Sequence, residues 1–114
     1  MEPLRQIIFQ SDSHGVGFFP GLAKPVVIDP AALGEEDAAR LQALAEDARF
    51  FELPSEVGQP RAGAADYQCD VLTIDDGTAT HTVRAMMPIA DPALKALLDA
   101  VRAHVKAIRA AARR

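Results

Sequence analysis

Three histidines, one cysteine and a short Ser-Asp-Ser-His run are the residues of this chain best suited to acid–base, nucleophilic or metal chemistry. The histidines are His14, His81 and His104, and the cysteine is Cys69. A zinc site of usual spacing uses His-Glu-x-x-His or Cys-x-x-Cys, and neither pattern occurs. Ser11, Asp12, Ser13 and His14 hold the residue types of a catalytic triad side by side. A working triad is assembled from separate segments, with a third group orienting the base, so adjacency argues little. Cys69 has no base beside it and reads as a buried, inert thiol. His81 falls in a strand and His104 on a helix, where structural or solvated roles suffice. Gly15-x-Gly17 with Gly21 resembles a phosphate loop in glycine content alone, because it lacks the closing Lys-Ser/Thr and opens onto no helix. Glu35, Glu36 and Asp37 suit the positive end of a helix, and Asp75 and Asp76 suit a turn. The chain therefore reads as a non-enzyme, with no catalytic residue, no metal ligand set and no cofactor. A small hydrolase built on Cys69 or Ser13 would require activity that is lost on Cys69→Ala or Ser13→Ala.

The bulk properties narrow the remaining classes. A length of 114 residues with 49% hydrophobic and 25% charged residues is expected to give one domain, residues 1–114, with a core of its own. The net charge of −4 argues against a nucleic-acid partner. Residues 91–114 carry six Lys/Arg against two Asp, but without the aromatic groups that stack on bases, so they read as a solvated helix face. A single cysteine suits a reducing cytosol. No secretory leader is apparent, and no apolar run approaches the ~20 residues of a membrane span. The expected location is the cytoplasm, with no membrane partner. Oligomeric state has no signature in the sequence.

The elements follow from periodicity. Residues 4–10 (LRQIIFQ) and 25–29 (PVVID) read as strands, the second with Pro at its start, where no ladder donor is needed. Residues 35–49 read as a helix, with Ala38, Leu41, Leu44, Ala45 and Ala48 on one face. Phe50, Phe51 and Leu53 extend that apolar surface, and Pro54 ends it. Residues 55–65 (SEVGQPRAGAA) read as a loop. Residues 67–75 and 79–85 read as strands joined through Asp76-Gly77. That turn pairs Ile74 with Ala79, Leu72 with His81 and Asp70 with Val83. It puts Leu72, Ile74, Ala79, Val83 and Ala85 on the core face, and Tyr67, Cys69 and Val71 on the other. Asp91-Pro92 starts the last helix. Its buried stripe is Leu94, Leu97, Leu98, Val101, Val105 and Ile108. The expected fold is α+β: a two-layer sandwich with a four-stranded, mainly antiparallel sheet, two helices on one face, and the order β-β-α-β-β-α.

If each element runs antiparallel to the one before it, the first helix climbs the length of a strand, since 15 residues at ~1.5 Å match about 7 at ~3.3 Å. Three connections then share one pole: residues 11–24, 54–65 and 86–90. They carry Phe18, Phe19, Leu22, Val57, Met86, Met87 and Ile89. Apolar loops gathered at one end mark a binding edge, unless Phe18 or Phe19 folds back over the core.

The run FFELPSEVGQPRAGAADYQCDVLTIDDGTATHTV, followed by DPALKALLDAVRA, resembles the emfourin family of small bacterial proteins. The matching features are Phe50-Phe51-x-Leu53-Pro54, a Gly/Ala loop ending in Asp66, Leu72-Thr73-Ile74-x-Asp76-Gly77, His81-Thr82-Val83 and Pro92-Ala93-Leu94-x-x-Leu97-Leu98. The similarity spans roughly residues 35–103. The resemblance implies an inhibitor of protealysin-like, thermolysin-type zinc metalloproteases. Such peptidases favour bulky apolar side chains just after the cut bond. A loop with Phe18, Phe19, Pro20 and Leu22 would fill that pocket, and its prolines lower the entropy lost on docking. Pro20 would also make cleavage after Phe19 awkward. Simple blockage is expected ahead of zinc capture by His14 or Asp12. The expected partner contacts are His14, Gly15, Val16, Gly17, Phe18, Phe19, Pro20, Gly21 and Leu22, flanked by Val57, Pro60, Met86, Met87 and Ile89. The alternative is an adaptor module that binds a non-protease partner through the same loops.

Overall fold

The structure, a computed structural model, describes residues 3–14, 25–58, 67–86 and 89–112. Five strands are present among them: β1 Gln6–His14, β2 Val26–Ile28, β3 Glu56–Val57, β4 Tyr67–Asp75 and β5 Thr80–Met86. Two helices accompany them, α1 Glu35–Asp47 and α2 Pro92–Ala112, with 3-10 turns at Pro30–Ala32 and Phe50–Glu52. The strands form one sheet in the order β2-β1-β4-β5-β3. All neighbours are antiparallel except β3 and β5, which are parallel. The fold is thus α+β, but the sheet is mixed and has five strands rather than four. The added strand, β3, lies inside the expected 55–65 loop. It is two residues long and flanked by Ser55 and Gly58, too short to show a period-2 pattern. Backbone pairing makes it a strand: the Arg84 N–H donates to the Ser55 carbonyl at 2.7 Å, and Val57 stands beside Ala85.

Alternation along the strands sorts the two faces. Ile7, Phe9, Leu72, Ile74, Val83 and Ala85 point to one side and are buried together with Ile28. Leu41, Ala45 and Ala48 from the α1 end, Phe50, and Leu94, Leu97, Leu98, Val101 and Val105 from α2 complete that core. Both helices therefore cover the same face. The expected α2 stripe is buried except at its last member, Ile108, which is exposed. The opposite face carries Thr73 and Thr82, whose hydroxyls lie 2.8 Å apart, and Val27, which is 53% exposed.

The β4–β5 register differs from the expected one by two residues. Ile74 faces His81, Leu72 faces Val83 and Asp70 faces Ala85. The cause is the Asp76 side chain. Its carboxylate accepts from the Thr78 N–H, the Thr78 hydroxyl and the Ala79 N–H, all within 2.9 Å. Asp76 N–H meanwhile donates to the Ala79 carbonyl at 3.1 Å. The tight turn is therefore Gly77-Thr78, with Gly77 at φ +87°, and Asp76 is its first flank. A shift of two keeps every β4 and β5 residue on its face, so the core side survives while Ala79 moves out to solvent.

α1 does not climb a strand. Ile28, Ile7, Ile74 and His81 form one row across the sheet. The chain passes from Ile28 through the Pro30–Ala32 turn into α1, and leaves it for Phe50, whose ring meets His81 edge-on at 5.6 Å. Midway, the Leu4 N–H donates to the Gln42 side chain at 2.9 Å. Both flanks of α1 thus lie by the lower rows and its middle near the foot of β1, so α1 does not carry the chain to the upper end of the sheet. It stops at Asp47, short of the expected Arg49, because Arg49 takes the left-handed conformation at φ 50°.

Candidate protein-interaction site

The strand register decides which chain segments share a pole. His14, the last residue of β1, faces Tyr67, the first of β4. Two rows below, Asp12, Cys69 and Met86 lie in line, so β5 also ends here. β3 climbs parallel to β5 and brings Gly58 beside Met86: a Cβ added to Gly58 would lie 2.6 Å from the Met86 carbonyl oxygen. The segments 15–24, 59–66 and 87–88 therefore all begin or end at the upper rows of the sheet. α1 was expected to return the chain to this pole; β3 does so instead.

The expected contact residues divide in two. Gly15, Val16, Gly17, Phe18, Phe19, Pro20, Gly21, Leu22, Pro60 and Met87 lie outside the described residues. His14 is at the end of β1. Val57 and Ile89 are half-buried and pack against the core, and Met86 is half-buried opposite Cys69. These three sit at the roots of the pole.

Beneath the pole sits a feature that the sequence pattern did not single out. Asp70 is on the helix-covered face of β4 and fully buried. Its carboxylate accepts from the Arg102 guanidinium of α2 and from the Ser11 hydroxyl of β1, the latter at 3.3 Å. Arg102 also lies 3.6 Å from Asp99, one turn earlier on α2. A buried carboxylate has to be paired and hydrogen-bonded, and here one carboxylate ties α2, β1 and β4 together at their upper rows. Alternation places Asp70 on the core face, but nothing in the local sequence marks its partner, which is 32 residues away.

The register sets Asp12 opposite Cys69, but it keeps Cys69 and His81 apart. Cys69 is buried on the sheet face away from the helices. His81 is on the other face, opposite Ile74, five residues further along β4. Its Nε2 is 2.7 Å from the Leu53 carbonyl, and its ring packs on Phe50 and Phe51, which accounts for it structurally. Among the described residues, no group of three His, Cys, Asp or Glu is placed to hold a metal ion. Among them, too, no helix is long and apolar enough to cross a membrane.

No curated protein and no solved structure matches the chain. The Emfourin family model matches residues 12–102. That stretch takes in the upper end of β1, the 15–24 segment, every later strand, α1, and α2 as far as Arg102. Most of the 114 residues thus fall within the match, and the chain belongs to the emfourin family.

Proposed function

We propose that the chain is a proteinaceous inhibitor of a thermolysin-like, protealysin-type zinc metalloprotease. Family membership points to an inhibitor-type module rather than an enzyme. The finer reading is that the apolar segments at the upper pole plug the active-site cleft. Phe18 and Phe19 act as anchors in the pocket for bulky side chains. The segments rooted at Val57, Met86 and Ile89 flank them. The protein acts in the cytoplasm, which suits its lone cysteine.

The observation that carries this reading is the convergence of strand ends on the upper rows, His14 with Tyr67 and, two rows below, Asp12 with Cys69 and Met86. A rigid sheet end that roots several apolar connections is a frame for an inhibitory edge, because loops held at both ends lose less freedom on docking. The experiment is a titration of a protealysin-type peptidase with the purified chain. Stoichiometric loss of activity at micromolar protein is expected. Undiminished activity would sink the proposal, and capture of a non-protease partner through the same pole would favour the adaptor role.

A further inference from the structure

The chain's charge is sharply divided. All sixteen Asp and Glu lie in residues 1–99, together with seven of the twelve Lys and Arg; the other five lie in residues 100–114 with no acid, so a net −4 separates into −9 and +5. The structure shows where part of this positive charge sits. Arg102, Lys106 and Arg109 follow one another at intervals of four and three residues, a single stripe along the second half of α2. They line an open groove of about 440 Å³ between α2 and β1, floored by Phe9 and Val105 and edged by Ser11. Lys106 and Arg109 are exposed, and among the described residues neither has an ion pair. Asp70 fixes Arg102 from below.

We infer that this groove docks an acidic segment of the protease, with Lys106 and Arg109 meeting its carboxylates and the exposed Ala110 its intervening apolar atoms. This rests on the inhibitor reading above. Two observations choose the occupant. The first is charge: the groove is cationic in an otherwise acidic chain, so it attracts carboxylates while the rest of the surface repels them. The second is continuity: Ser11 on the groove's edge is three residues from His14, where the 15–24 segment leaves β1. A protease seated on that segment would extend over the groove. Exposed charges at such a rim act mainly on the rate of encounter and on its salt dependence.

The test compares the wild-type chain with the double variant K106E/R109E, by inhibition constant and association rate at low and high salt. The variant should fold with an unchanged Tm, since both side chains are exposed and neither is ion-paired among the described residues. It should inhibit about tenfold more weakly at low salt, chiefly through slower association, with the gap narrowing as salt rises. Wild-type inhibition with an equally potent, equally salt-sensitive variant would overturn the groove and leave the inhibitor reading intact. A wild-type chain that fails to inhibit would overturn both. If the variant instead dissolved a wild-type dimer seen by sedimentation, with inhibition unchanged, the groove would be a contact between copies and this assignment would fall.

Discussion

Arg102 of α2 donates to the fully buried carboxylate of Asp70 on β4, and this pair joins the helical layer to the sheet just below the pole that roots the loops. Removing Arg102 would strand a buried charge. Breaking a fully buried pair costs about 3–5 kcal/mol; Arg102 is 34% exposed, which lets water in and brings the expected loss for Arg102→Ala to about 2 kcal/mol. Replacing both partners, as in D70N/R102M, should cost less than Arg102→Ala alone. Urea unfolding of the single and double variants measures the coupling, and strictly additive losses would count against it.

Asp76 holds the β4–β5 turn through three bonds to one carboxylate. Asp76→Ala should destabilise the protein by about 2 kcal/mol, the sum of modest net hydrogen-bond terms for a nearly buried group. Asp76→Asn keeps an acceptor oxygen and should recover roughly half of that. Thermal unfolding of the two variants checks the order.

Gly58 combines a left-handed φ of +83° with backbone contact to Met86. Gly58→Ala has no flexible side chain to push aside, so β3 must move off β5, at a cost of about 2 kcal/mol. Gly77→Ala, also at positive φ, has the flexible Arg5 side chain as its nearest neighbour and should cost about 1 kcal/mol. Hydrogen exchange at the Arg84 amide, which β3 protects through Ser55, should accelerate in Gly58→Ala and stay unchanged in Gly77→Ala.

Phe18→Ala combined with Phe19→Ala tests the proposed anchors. Inhibition should weaken at least tenfold, about 1.4 kcal/mol, while Tm moves little. A collapse of Tm alongside inhibition would assign the rings to the core instead.

Local patterns carried much of the fold. The β4 limits, the Asp91 cap and the α2 stripe through Val105 were legible because each depends on residues within a few positions of one another. The Asp91 carboxylate accepts from the Ala93 N–H at 3.0 Å, as its place before Pro92 suggests. What escaped depends on distant partners. β3 exists only because β5 offers a backbone ladder. The true turn is one residue later than Asp-Gly suggests because a side chain, not propensity, closes it. The course of α1 depends on where Phe50 finds His81, a tertiary matter. At the candidate site, the meeting of connections at one pole was expected from a climbing α1, and it is β3 beside β5 that brings the chain there. The role of Asp70 could not be read: alternation sets it on the core face beside Leu72 and Ile74, but the partner that makes a buried acid tolerable there, Arg102, lies on a distant helix.

The outermost strands, β2 and β3, are three and two residues long, and Glu56 puts a charge on one of them. Outer strands this short give an incoming chain almost no ladder to extend, which guards against fibril growth and sheet stacking.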